Sequence, residues 1–167
     1  MKKFLSLTLA LAMLGTALTG CSSKDAASLT SAESTQQTAP VRQEQSQAEK
    51  ALALINTFAT GDTDTARSLL SDGYIQHNLA YGTGADAFIG SVEYLASADV
   101  KTTVNNIRAF EDGDKVFLQT IYNFAGAGEQ VAFDIFRFDE NGRIAEHWDV
   151  METIADQSTW QNQNGKF

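Results

Sequence analysis

The stretch DIFRFDENGRIAEHWDV, residues 134–150, decides the fold. Apolar and polar residues alternate on both sides of Asp139-Glu140-Asn141-Gly142, which reads as two strands joined by a tight turn. The second strand carries an imidazole, an indole and a carboxylate at consecutive positions, His147, Trp148 and Asp149. Successive strand side chains point to opposite faces, so His147 and Asp149 share one face and Trp148 takes the other. Asp134 shares its face with Phe136 and Phe138. Whether Asp134 lies beside His147 or beside Trp148 turns on the bulge expected at Gly142, because a one-residue slip exchanges the faces. The residues leave both registers open.

Working outward, the same alternation recurs upstream. Thr102 to Phe110 and Lys115 to Phe124 flank the turn Glu111-Asp112-Gly113-Asp114, and Gly126-Ala127-Gly128 leads into Gln130 to Phe138. With Arg143 to Met151 this predicts a four-stranded antiparallel meander. Earlier in the chain, apolar positions from Ala48 to Ala59 recur at helical spacing and stop at Gly61. A short helix follows, capped at Asp62 or Thr63 and reaching Leu70, and a third runs from Asp86 to Ala96. Between them Asp72-Gly73 turns the chain into a short extended piece, Tyr74 to Asn78. Helices first and sheet after give an α+β class. A curved sheet covered on one face by three helices leaves an interior pocket, the default place for a small ligand.

The N-terminus belongs to a different reading. Met1-Lys2-Lys3 precedes a short apolar run from Phe4 to Leu18, too short for a membrane span and typical of a secretory signal. The ending Leu18-Thr19-Gly20-Cys21 resembles the lipobox of bacterial lipoproteins. That resemblance implies cleavage after residue 20 and lipidation of Cys21, the chain's only cysteine. Ser22 in place of Asp implies sorting to the outer membrane, with the domain facing the periplasm. Residues 21–47 are rich in Ser, Thr, Ala, Gln and Glu and read as a flexible tether, spanning on the order of 25–30 Å. Residues 48–167 remain for one domain with its own core.

The formal charge of −9 includes Lys2 and Lys3, so removal of residues 1–20, which hold no acid, leaves −11. An acidic domain repels nucleic acid and anionic lipid, so neither is expected as a ligand. The mature part holds no phosphate-binding loop, dinucleotide glycine pattern or cysteine cluster. His77 and His147 are far apart, without a close pair of His-x-x-x-His type, so no metal and no cofactor are expected.

Three segments carry a resemblance: YIQHNLAYGTGADAF (74–88), FDIFRFDENGRIAEHWDV (133–150) and NQNGKF (162–167). In this order they resemble the SnoaL-like branch of the NTF2-like superfamily. The resemblance implies an α+β cone with an interior pocket, often dimeric. Characterised relatives include polyketide cyclases acting by aldol condensation, ketosteroid isomerases and limonene epoxide hydrolases, while other members only bind. Leu79 stands where relatives commonly have proline, which loosens the loop at the pocket mouth.

Chemistry of this kind needs a base beside a carbonyl and a donor for the enolate oxygen. Asp134, Asp149, His147 and His77 are the candidate catalytic groups; Asn78, Trp148, Tyr74 and Tyr122 are candidates for ligand contact. Each also has an ordinary reading. Asp134 can pair with Arg137, His77 and Asn78 can bridge loop backbone, and His147 with Asp149 can form a structural pair. Trp148 and the tyrosines can simply pack. The expected ligand is a small apolar or carbonyl-containing molecule. The outward sheet face is the expected surface for a homodimer. Catalysis and non-catalytic binding both remain open at this point.

Overall fold

The first helix begins one turn of logic earlier than its apolar stripe. Ser46 accepts the Glu49 amide at 3.1 Å through its hydroxyl, and its own amide donates to the Glu49 carboxylate at 2.8 Å, a complete capping box. The computed structural model describes residues 44–167. The signal at 1–20, lipidation at Cys21 and nearly all of the tether lie outside the described residues. Helix α1 spans Gln47–Thr60 and ends at Gly61, whose φ of 75° is the left-handed cap that glycine adopts without strain. Asp62 caps α2 (Thr63–Leu69) by accepting the Thr65 amide at 2.9 Å. Helix α3 spans Ala85–Ser97.

The strands are β1 (Leu70–Gln76), β2 (Thr103–Asp112), β3 (Lys115–Asn123), β4 (Glu129–Phe138) and β5 (Ile144–Thr153). They form one sheet in the order β1-β5-β4-β3-β2. The meander β2 to β5 is antiparallel, as its alternation predicts. The expectation of four antiparallel strands is corrected: β1 adds a fifth, parallel to β5. Leu70 pairs with Ile144 but Ile75 with Glu146, so five steps on β1 match two on β5. The excess bulges out around Asp72-Gly73, which is why those residues read as a turn between elements. The ladder then runs on through the His77 amide, which donates to the His147 carbonyl at 2.9 Å.

All three helices pack on one face of this sheet. Leu54, Ile55 and Val92 from the helices meet Val116, Leu118, Phe136, Phe138 and Ile144 from the strands, all nearly inaccessible. Each such burial contributes about 1.5–3 kcal/mol, so this layer holds the domain together. Irregular registers at Asn106/Arg108 and at Arg137/Phe138 bend β2 and β5. The second of these puts Ala145 as the extra residue on β5. The slip expected at Gly142 is thus found three residues later, and it is this bulge that fixes the faces.

Candidate functional site

Past the bulge, Asp134 pairs with Asp149 and Phe136 with His147. Directly paired residues share a face. So Asp134, His147 and Asp149 all point to the helix-covered side, and the register left open by the residues is settled. Their ligand-type atoms lie within 4.8 Å of one another. The cluster opens into a cavity of about 710 Å³ between the sheet and helices α1 and α3, within the range of small-molecule sites.

The hydrogen bonds assign a role to each group. Asp134 is only 4% exposed, and both of its oxygens are used: Oδ2 accepts the Tyr122 hydroxyl at 2.9 Å and Oδ1 faces His147 Nε2 at 3.3 Å. His147 Nδ1 lies 3.0 Å from Gln76 Nε2. The Gln76 carbonyl oxygen is already held by the Asn78 amide at 3.0 Å, so its NH2 group must face the imidazole. Nδ1 therefore accepts, and the ring proton sits on Nε2, toward the two carboxylates. With that proton in place, Asp134, His147 and Asp149 form one hydrogen-bonded network on the cavity wall.

Asp149 differs from Asp134. Its Oδ1 accepts Asn78 Nδ2 at 2.6 Å, while its Oδ2 is 3.9 Å from the nearest His147 nitrogen and lies at the cavity. Burial raises the Asp149 pKa above the usual carboxylate range, aided by the nearby Asp134 charge and opposed by His147 and the Asn78 hydrogen bond. Tyr74 and Tyr122 both line the cavity, and burial followed by the carboxylate charges holds their hydroxyls protonated far up the pH scale. The Tyr74 oxygen accepts weakly from Gln76 Nε2 at 3.4 Å, leaving its proton for a ligand.

A raised carboxyl pKa has a sign in stability. Unfolded, Asp149 titrates in the ordinary range; between that range and its raised value, the folded state keeps a proton that the unfolded state has lost. The associated stability is complete below the ordinary range and declines as pH rises through the raised value. Asp149→Asn is therefore expected to raise the melting temperature at pH 7 and leave it little changed at about pH 3. Thermal denaturation at the two pH values checks this; equal destabilisation at both would refute it.

Two candidates sit elsewhere. His77 and Trp148 do not line the cavity; they stack on each other on the opposite sheet face, centroids 4.3 Å apart and planes 5° from parallel. His77 Nε2 meets Glu146 Oε2 at 2.9 Å, and Arg137 binds the other Glu146 oxygen. These contacts lower the Glu146 pKa, His77 first and Arg137 next. Strand parity turns both side chains outward, so the expected catalytic role of His77 and ligand contact by Trp148 have no place on this cavity's wall. Asn78 is not on the cavity wall and acts on it through Asp149. Gln76 was missed as a site residue, although it is two positions from Tyr74 and so shares its face. Phe58, Phe88 and Phe124 were also missed, having read as helix and strand core.

The outer face is partly covered. Gln119, 7% exposed, donates to the Lys166 carbonyl at 2.8 Å, and Lys166 pairs with Glu152 at 2.6 Å. Phe117, Phe133 and Val150 stay 37–71% exposed on that face.

Among family models, that of the SnoaL-like domain matches residues 51–147, more than half of the chain and the span that holds α2, α3, most of α1, Gln76 and His147. The chain belongs to the SnoaL-like family. No curated protein matches it significantly. Among solved structures, this SnoaL-like chain is similar to an NTF2-like protein of unknown function from Cytophaga hutchinsonii, with 16% identity over 67% of this chain and 95% of that one, TM-score 0.57. It is also similar to an LEH-like epoxide hydrolase of M. tuberculosis, with 19% identity, 64% and 82% coverage and TM-score 0.56. A third is IdmH, a candidate polyketide cyclase of Streptomyces antibioticus, with 18% identity, 65% and 93% coverage and TM-score 0.52. At these identities the likeness establishes the NTF2-like fold.

Proposed function

We propose that this SnoaL-like domain takes a small apolar or carbonyl-containing molecule into the cavity and moves a proton on it without a cofactor, in the manner of isomerisation or aldol chemistry. One observation carries the reading. An acceptor and a donor, Asp149 Oδ2 and the Tyr74 hydroxyl proton, have no hydrogen-bond partner among the described residues, and both residues line the same cavity. Asp149 is the base, its basicity raised by burial. Tyr74 donates to the oxygen on which charge develops. His147, held between Gln76 and Asp134, is the partner that steadies the Asp149 charge, and Tyr122 holds Asp134 in turn. The epoxide hydrolase and cyclase neighbours support a small-molecule substrate.

The test is to expose the purified full-length chain to a metabolite extract, identify what is retained by mass spectrometry, and follow its conversion. Asp149→Asn and His147→Ala are expected to slow conversion by about 100-fold or more while retention persists. Retention without conversion by the wild type would instead support a non-catalytic binding module.

The proposal extends to location and assembly. Lipidation at Cys21 would tether the domain to the outer membrane, and loss of palmitate labelling in Cys21→Ser checks it; an unlabelled wild type would refute it. Phe117, Phe133 and Val150 offer a second copy an apolar seat on the outer face. A monomeric mass in light scattering at micromolar concentration would refute the homodimer.

A further inference from the structure

The charge of the cavity lining is one-sided. Two carboxylates, Asp134 and Asp149, face it, and none of the lining residues is Lys or Arg. Seven of the eight described cations are engaged elsewhere: Lys50 on the Gly142 carbonyl, Arg67 on Asp86, Lys101 on the end of α3, Lys115 on Asp114, Arg137 on Glu146, Arg143 beside Asp72 and Lys166 on Glu152; the eighth, Arg108, is exposed on β2 and outside the lining. Around Asp149 itself stand His147 on its own strand, Asp134 on β4, Tyr122 on β3 and Tyr74 with Asn78 on the β1 side. Helices α1 and α3 present no charged side chain to the space. Two buried carboxylates against one imidazole leave a deficit of positive charge, and such a deficit is costly unless a proton or a cation fills it.

The other wall is a belt of rings. Tyr74 meets Phe88 edge-on at 6.0 Å, Phe88 meets Phe58 at 4.9 Å, Phe58 meets Phe124 at 5.8 Å, and Phe124 stacks on Tyr122 at 4.8 Å. Ring faces attract a desolvated ammonium, and aromatic cages are a recurrent means of holding one. The unspent Asp149 Oδ2 lies in the same cavity as this belt.

We infer that the cavity selects organic ammonium cations, molecules pairing an aromatic or other apolar body with a protonated amine, and rejects carboxylates. The amine supplies the charge missing between Asp149 and its neighbours, and the apolar body fills the ring-lined volume. A ligand carboxylate would instead become a third buried anion with no guanidinium or ammonium to meet it. The inference rests on the cavity being a ligand site, as proposed above, and not on Asp149 acting as a base. An ammonium uses Asp149 as its counter-ion.

The test uses three probes of nearly equal shape: 1-naphthylmethylammonium, 1-naphthylmethanol and 1-naphthoate, titrated calorimetrically into the full-length chain at pH 7. The ammonium is expected to bind at least about tenfold more tightly than the alcohol, and the naphthoate not to bind. In Asp149→Asn the ammonium's advantage should vanish. In the wild type, acidification through the Asp149 titration should weaken the ammonium and leave the alcohol unchanged, and this arm stands even if the variant fails to fold. Alcohol binding as tightly as the ammonium, or naphthoate binding at all, overturns the inference while leaving the ligand site intact. Failure of all three probes to bind overturns the inference and the ligand site together.

Discussion

Asp134→Ala is expected to lower stability by about 2–4 kcal/mol. Among the described residues the carboxylate is the sole acceptor for two buried donors, the Tyr122 hydroxyl at 2.9 Å and the Nε2 proton of His147 at 3.3 Å. Tyr122 is 2% exposed and His147 7%, so neither donor reaches bulk water when its acceptor goes. Each stranded donor costs about 1–3 kcal/mol, and the adjoining cavity can admit water to recover part of that. Asp134→Asn should cost roughly half as much, because its carbonyl oxygen still serves one donor while its NH2 opposes the other. Urea denaturation at pH 7 measures all three proteins. A loss below about 1 kcal/mol in Asp134→Ala would mean that the network holds little of the fold's stability.

The contrast with Asp149 is what makes the pair informative. Both are Asp residues on the same sheet face, directly opposite each other, yet one is consumed by the protein and the other is left facing the cavity. Removing the first should weaken the fold, whereas neutralising the second should strengthen it at neutral pH. Two carboxylates with opposite effects on stability indicate separate duties: Asp134 organises the site and Asp149 meets what enters it.

How far the residues alone reach can be seen at three places. The 134–150 hairpin was legible because alternation and an Asn-Gly turn are local signals, readable without knowledge of the partner strands. β1 was not, because a parallel partner lies 71 residues away, with Gln76 opposite His147, and the Asp72-Gly73 bulge imitates a chain turn. The faces of His77 and Trp148 were missed for a related reason. A histidine after a short extended piece has no visible parity until β1 is known to pair with β5. His147, Asp149 and Asp134 were identifiable by type, since a carboxylate within an aromatic strand is costly without a partner. Their meeting was not, because it hangs on the single extra residue at Ala145. The aromatic belt escaped notice for the opposite reason: Phe58 and Phe88 fit a helix core pattern so well that nothing marked them as cavity walls.

Phe136→Ala is expected to cost about 3–5 kcal/mol, the usual range for a fully buried aromatic ring. Phe136 is inaccessible to solvent, and its ring lies on the His147 imidazole with centroids 4.4 Å apart and planes 6° from parallel. Leu54→Ala is the matched control: Leu54 is equally inaccessible, sits on α1 away from the cavity lining, and should cost about 2–5 kcal/mol. Stability alone does not separate them. What separates them is the imidazole, whose ring plane is set by Phe136 on one side while Gln76 and Asp134 fix its edges. With the ring gone, the hydrogen bonds still choose the tautomer but no longer hold the plane, so Nε2 drifts from the carboxylates. At a temperature where both variants remain folded, Leu54→Ala should convert cavity ligand as the wild type does, and Phe136→Ala should convert it more slowly. Equal conversion by the two would show that the imidazole needs no packing support, leaving its hydrogen bonds as the whole of its positioning.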